Sequence, residues 1–350
     1  MLLDELLDRE RLDWMVKERY VNVQTHPTID GYRIWNYGQK TQFDRFWNDV
    51  TRACRGLITN GDDVVIARPF AKFFNLTELD SVPEGPFTVQ EKMDGSLGIG
   101  YPLPDGGVAI ATRGSFDSEQ ARWATSWLNG DTRSAEFVRS SIKNGHTPLF
   151  EIIYPSNRIV VDYGFRNDLT YLTSIDIATG SDVVANLEWC GPSAPFYDGL
   201  DLETVTSMNR GNAEGFVLRW DCGTRAKVKH EDYVRLHRLL TGVNARTIWE
   251  LLSNHQSVEK LLDVVPDEFY RWVQRIVSEL NNAFTEIEKV ALAEFDYVPR
   301  DVSRKEQAEH IKGCTYPSIL FSMLDGKNYA QAIWRMIRPE ASLPFKVDEA

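Results

Sequence analysis

The texture of the chain changes once, near Thr241, and that change constrains the fold more than any single residue does. Before it, short apolar or β-branched runs alternate with turns rich in glycine, proline, aspartate and asparagine. Gly56-Leu57-Ile58-Thr59 leads through Asn60-Gly61 into Val64-Val65-Ile66-Ala67, a hairpin signal. Further strands are expected at Val108–Thr112, Leu149–Ile153, Arg158–Val161 and Gly215–Arg219, interrupted by helical patches over Ser118–Leu128 and Ala135–Lys143. The mixture implies an α+β fold with mostly antiparallel strands. After Thr241, Phe269, Trp272, Val273, Ile276, Leu280, Phe284, Ile287 and Val290 recur at helical spacing. That predicts an amphipathic helix over Asp267–Phe295 with Pro266 at its start. Shorter helices are expected at Ala245–Leu252, Arg304–Ile311 and Tyr329–Ile337. A mixed domain over 1–242 and an all-α domain over 243–350 are therefore expected, with the apolar stripes serving as core.

A chain of 350 residues, 43% of them hydrophobic, can bury cores for two such domains. It has no run of eighteen apolar residues, and its start carries Asp4, Glu5 and Asp8 where a signal peptide would carry basic residues. A cytoplasmic protein without membrane partners is expected, with monomer as the default state. Cys54, Cys190, Cys222 and Cys314 show no C-x-x-C spacing, so neither a disulfide framework nor a zinc site is expected, and buried free thiols are. The net charge of −12 argues against a protein that coats nucleic acid non-specifically. Between Arg219 and Arg238 the balance reverses: Arg219, Arg225, Lys227, Lys229, Arg235 and Arg238 outnumber Asp221, Glu231 and Asp232. Such a cluster is either a solvated face or one wall of a local cleft.

Within the mixed part, Lys92-Met93-Asp94-Gly95-Ser96 follows the apolar stretch Pro86-Phe87-Thr88-Val89. A lysine is a nucleophile only when neutral, so one used for covalent chemistry must lose its proton through burial or neighbouring cations. Gly95 lets the backbone approach a phosphate. A surface turn explains the pentapeptide alone about as well, so its companions decide. Lys227-Val228-Lys229 places two ammonium groups on one face of a strand, able to grip a triphosphate or to line a solvated edge. Glu151 lies inside the run Leu149–Ile153 and Glu214 precedes the strand from Gly215. Carboxylates so placed need a partner: a metal ion held partly through water, ribose hydroxyls, or an arginine. Arg55, Arg68, Lys72 and Arg113 add cations near strands, and of the adjacent Phe73 and Phe74 one can pack while the other faces the site.

The order Cys54-Arg55-Gly56, Lys72-Phe73-Phe74-Asn75, Lys92-Met93-Asp94-Gly95-Ser96, Gly114-Ser115, Phe150-Glu151, Pro155-Ser156-Asn157-Arg158-Ile159-Val160, Glu214-Gly215 and Lys227-Val228-Lys229 resembles the phage RNA ligase 1 family over about residues 30–240. These are ATP-dependent RNA ligases of the covalent nucleotidyltransferase superfamily. The resemblance implies a nucleotidyltransferase (ATP-grasp-like ligase adenylation) domain followed by the helical domain. It implies Lys92 as the adenylated nucleophile. Arg55, Lys72, Lys227 and Lys229 would lie around the triphosphate, Glu151 at the ribose and Glu214 at a magnesium or manganese ion. Phe74, Glu91, Gly95 and Arg113 complete the expected nucleotide-binding set, and Tyr233 matches a tyrosine of the family. The phage enzyme has lysine where this chain has Arg113, which keeps the charge and changes the grip. For the adenine, Tyr163, Tyr171 and Phe74 are candidate covers. The implied partner is RNA with 5′-phosphate and 3′-hydroxyl ends, tRNA included.

Overall fold

The computed structural model of the chain describes residues 1–241, 243–259, 261 and 270–340. Its strands in chain order are β1 (Val21–Thr25), β2 (Arg33–Tyr37), β3 (Arg55–Thr59), β4 (Val65–Ala67), β5 (Phe74–Asn75), β6 (Phe87–Lys92), β7 (Ser96–Pro102), β8 (Val108–Ala111), β9 (His146–Ile153), β10 (Asp168–Asp176), β11 (Asp182–Val183), β12 (Phe196–Tyr197), β13 (Gly215–Trp220) and β14 (Arg225–Lys229). They form three sheets, ordered β1-β2-β3-β4, β11-β10-β9-β7-β8 and β12-β6-β13-β14-β5. The pairing is antiparallel except between β14 and β5, where Ala226 lies beside Phe74 and Lys227 beside Asn75. Two compact units divide the chain, Met1–His237 and Arg238–Ala350. The strands all lie in the first.

The second sheet is buried on both faces, which is why Leu149–Ile153 reads as an almost unbroken apolar run. On one face the helices Glu119–Asn129 and Thr132–Lys143 set Ala124, Leu128, Phe137 and Val138 against Phe150 and Ile152. Both helices start at side-chain caps, Ser118 accepting from the Ala121 amide and Asp131 from the Ser134 amide. On the other face Ile99, Tyr101, Leu149 and Ile175 meet Ile34, Ile58 and Ala67 of the first sheet. The third sheet has its own core of Val89, Phe216, Leu218, Trp220 and Ala226 on one side. Its opposite side is left for polar residues.

In the second unit the described residues are helical, with helices Ala245–Ser253, Tyr270–Asp296, Arg304–Lys312, Pro317–Leu324 and Ala330–Met336. The long amphipathic helix is there from Tyr270; Pro266 and its expected start over 267–269 lie outside the described residues. No helix among the described residues is long and apolar enough to cross a membrane.

Two expectations need correction. Arg158–Val161 is not a strand: a 3-10 turn over Pro155–Asn157 leads into irregular backbone. The Val160 and Val161 amides donate instead to Asp94 Oδ2 at 2.9 and 2.8 Å, so a side chain takes the donors that a ladder would need. The cysteines are all free, but only Cys54 is buried. Cys222 sits in the exposed turn between β13 and β14, and Cys190 follows the buried Trp189 with its thiol turned out to donate to Asp131 at 3.4 Å.

Candidate active site

Lys92 is the last residue of β6, and the register of the third sheet decides what surrounds it. Gly215 lies opposite Lys92 across β6–β13 and opposite Lys229 across β13–β14. A side chain cannot stand there: the φ of Gly215 is +148° and an added Cβ would come within 2.0 Å of the Val228 carbonyl oxygen. The preceding residue, Glu214, is thereby held between two ammonium groups. Lys92 Nζ lies 2.6 Å from Glu214 Oε2, and Lys229 Nζ 3.5 Å from Glu214 Oε1. The Glu214 side chain is only 4% exposed while that of Lys92 keeps 22%, so the pair joins a buried carboxylate to an amine that solvent can still reach. Strand alternation places Gln90, Val217 and Lys227 on this same face.

The loop after Lys92 is shaped by two residues. Gly95 lies so close to β9 that an added Cβ would stand 2.6 Å from the Ile152 carbonyl oxygen and 3.1 Å from Glu151 Cγ. Asp94 is buried and fully used. Its Oδ2 accepts from the Val160 and Val161 amides, its Oδ1 from the Tyr233 hydroxyl at 2.7 Å, and its own amide donates to the Tyr163 hydroxyl at 2.8 Å. Nearby, Asn157 donates to the Ile152 carbonyl at 2.8 Å and accepts from the Ser96 hydroxyl at 3.2 Å, which secures the start of β7.

Burial pushes the Glu151 carboxyl up to about 8; Lys92 and Arg55 oppose that shift, while Glu214 and Asp94 reinforce it. The native state therefore keeps a proton that the unfolded chain releases near its ordinary value of about 4.3. More protons are bound folded than unfolded across that interval, so this group makes stability fall as pH rises from about 5 to about 8. Glu151→Gln keeps the shape and removes the titration. Thermal melts across this range should show a shallower decline for the variant than for the parent; equal slopes would show that Glu151 is not the group responsible.

The remaining cations form a second group. Arg55, which opens β3, lies over the Phe70 ring at 4.8 Å. Its neighbour Gly56 passes so close to Arg113 that an added Cβ would be 3.1 Å from the Arg113 carbonyl oxygen. Arg113 in turn donates to the Tyr37 hydroxyl at 2.7 Å. Lys72 is buried, its Nζ 5.4 Å from the Trp47 ring centroid and 5.5 Å from that of Phe74. Trp47 packs edge-on against both Tyr37 and Phe74. Lys227 joins this group through the pairing of β14 with β5.

Some expected residues are placed elsewhere. The pleat turns Glu91 to the face opposite Lys92, where its carboxylate accepts from Arg210 Nη1 at 2.7 Å and from the Tyr197 hydroxyl. Tyr171 belongs to the core beside Phe137 and Phe150, and its hydroxyl donates to Ser174. Tyr163 serves the Asp94 loop rather than presenting a free ring, and Arg166 covers it at 5.3 Å. Sequence reasoning missed Tyr37, Trp47 and the Asp94 clamp.

Residues 53–184 match the profile of a family described as RNA ligase. A protein of Thermovibrio ammonificans, curated under the provisional name RNA ligase, is 31% identical over 124 residues, which are 34% of this chain and 32% of that protein. The chain thus spans about a third of the length of that relative. An RNA ligase of Rhodothermus phage RM378 is 22% identical over 359 aligned positions, covering 80% of this chain and 79% of the phage protein. Among solved structures, an archaeal ATP-dependent RNA ligase has a TM-score of 0.45 at 14% identity, covering 91% of this chain and 96% of its own. A Naegleria gruberi RNA ligase with pyrophosphate has a TM-score of 0.33 at 16% identity, covering 43% of this chain and 51% of its own. The matched stretch contains Lys92, the Asp94 loop and Glu151, and over these residues the chain is similar to the RNA ligase family.

Proposed function

We propose that this chain is an ATP-dependent RNA ligase that joins a 5′-phosphate to a 3′-hydroxyl through a lysyl-AMP at Lys92. The observation that carries the reading is the shared carboxylate: Glu214 between the Lys92 and Lys229 ammonium groups. In this reading residues 1–242 are the adenylation domain and 243–350 the helical domain.

The residues fit a nucleotide with a divalent ion. Among the described residues no group of three or more His, Cys, Asp or Glu side chains could hold a metal alone. A magnesium or manganese ion at Glu214 would therefore take its other ligands from phosphate oxygens and water. Such an ion supplies positive charge at the departing pyrophosphate. Arg55, Lys72, Arg113, Lys227 and Lys229 serve the phosphates, Arg113 as a fork and the lysines as point charges. Gly95 lets the loop after Lys92 lie against β9 and brings its backbone to the nucleotide beside Glu151, Phe74 walls the site beside Lys72, and Glu151 accepts from ribose hydroxyls.

The chemistry then runs in three displacements. Lys92 Nζ gives up a proton, for which Glu214 Oε2 is placed, and attacks the α-phosphorus. A P–N bond forms as the bond to the pyrophosphate oxygen breaks. A 5′-phosphate oxygen of RNA next attacks the same phosphorus and frees the lysine. The 3′-hydroxyl finally attacks the RNA phosphate and AMP leaves. Positioning and charge do most of the work besides Lys92.

One gel tests the reading. With labelled ATP the protein should carry AMP, pass it to 5′-phosphorylated RNA and yield joined strands, whereas labelled GTP should leave it bare. Labelling by GTP, or AMP that never reaches RNA, would redirect the assignment to another nucleotidyltransferase or to an RNA-end binder.

A further inference from the structure

The loop from Pro155 to Asn167 is fastened to the Lys92 loop at both ends of Asp94. The carboxylate holds the Val160 and Val161 amides, and the Asp94 amide is held by the Tyr163 hydroxyl. Its outward side is unusual in a different way. Phe165 is 99% exposed and Ile159 40% exposed, although a loop this well anchored could have turned either side chain inward. Next to them a cavity is lined in part by Asp94, Asn157, Arg158, Tyr163 and Arg166.

The two arginines are held differently. Arg166 makes a fork to Asp168 at 3.0 and 2.9 Å and lies over the Tyr163 ring, so it is fixed. Arg158 donates to the Val160 carbonyl at 3.4 and 3.3 Å and pairs with Asp162 at 3.0 Å through Nη1, but the side chains of this pair are both about half exposed. A surface pair of this kind contributes little, and a phosphate can take the place of the carboxylate. An aromatic ring in water on the same loop as a half-exposed guanidinium supplies the two elements that single-stranded nucleic acid uses, base on ring and phosphate on cation. It stands out in a chain whose net charge is −12.

We infer that this loop docks the single-stranded RNA end that receives AMP, with a base stacked on Phe165 and a neighbouring phosphate on Arg158. The inference rests on the RNA-ligase reading above and adds the place where the strand lies. Because Asp94 ties the loop to the loop after Lys92, a strand seated there is held in register with the lysine.

Fluorescence anisotropy with a short 5′-phosphorylated single-stranded RNA, together with single-turnover transfer of AMP to it, tests this. Phe165→Ala should weaken binding and slow transfer by about tenfold, the scale of one lost stacking contact. Phe165→Trp should restore both, and lysyl-AMP formation without RNA should be unchanged in each variant. Arg158→Ala should reduce the salt dependence of binding by roughly one phosphate contact. If Phe165→Ala binds and accepts RNA like the parent, the inference fails even where adenylation is intact, and the ring belongs to some other partner. Absence of lysyl-AMP in the parent would instead overturn the underlying reading, while the binding measurement still decides the loop's role.

Discussion

Lys92→Ala should leave a folded protein that takes no AMP from ATP. Nζ is the attacking atom in the proposed first step, and no neighbour can replace it: Lys229 reaches the opposite oxygen of Glu214 from another strand. The rate of adduct formation should fall on the order of 10⁴-fold or more, the scale of losing a covalent nucleophile. The structural cost is smaller. Glu214 loses one of two ammonium partners in a buried setting, about 1–3 kcal/mol rather than the full cost of a stranded charge. Lys92→Arg separates charge from nucleophilicity, because a guanidinium keeps the ion pair and does not deprotonate. Intact-protein mass spectrometry after incubation with ATP reads the result directly. An AMP adduct on either variant would move the nucleophile to another residue.

Asp94→Ala should produce the largest loss of stability among substitutions in the site. It strips the acceptor from two backbone amides and from the Tyr233 hydroxyl, all covered by protein. Each orphaned group costs about 1–3 kcal/mol, so a total near 4 kcal/mol and a fall in Tm of about 10 °C are expected. Tyr233→Phe removes only the hydroxyl that donates to Asp94 Oδ1 and should cost about 1 kcal/mol. Scanning calorimetry of the two variants compares them. Were Asp94→Ala to melt no lower than Tyr233→Phe, the amides of Val160 and Val161 would have found other acceptors and the clamp would not be what holds the loop. Adenylation should also slow in Asp94→Ala, since the Gly95 backbone loses its anchor.

What could be read from the sequence followed periodicity. The alternation of Lys227, Val228 and Lys229 correctly put both lysines on one face, and the helical spacing from Trp272 onward found the long helix of the second unit. The same alternation, applied to Glu91 and Lys92, already implies that their side chains diverge; the structure shows Glu91 engaged with Arg210 and Tyr197 on the far face. Arg158–Val161 misled because a β-branched run satisfies strand propensity whether or not a neighbouring strand is there to pair with it. The Asp94 clamp was illegible for another reason. Its acceptor oxygens serve donors 66, 67 and 139 residues further along, a distance at which no local pattern carries information. Tyr37 and Trp47 around Lys72 and Arg113 belong to the same class.

The register of β6, β13 and β14 sets how this site can drift over evolutionary time. Lys92, Glu214 and Lys229 meet only because Gly215 stands opposite both lysines. Replacing residues along the hairpin alters side chains one at a time. Adding or removing one residue within either strand would instead swap its inner and outer faces, carrying a lysine into the apolar layer around Phe216 and presenting Val228 to the nucleotide. Divergence here is thus confined in length as well as at Gly215, and new variation in chain length is directed to the exposed turn at Cys222.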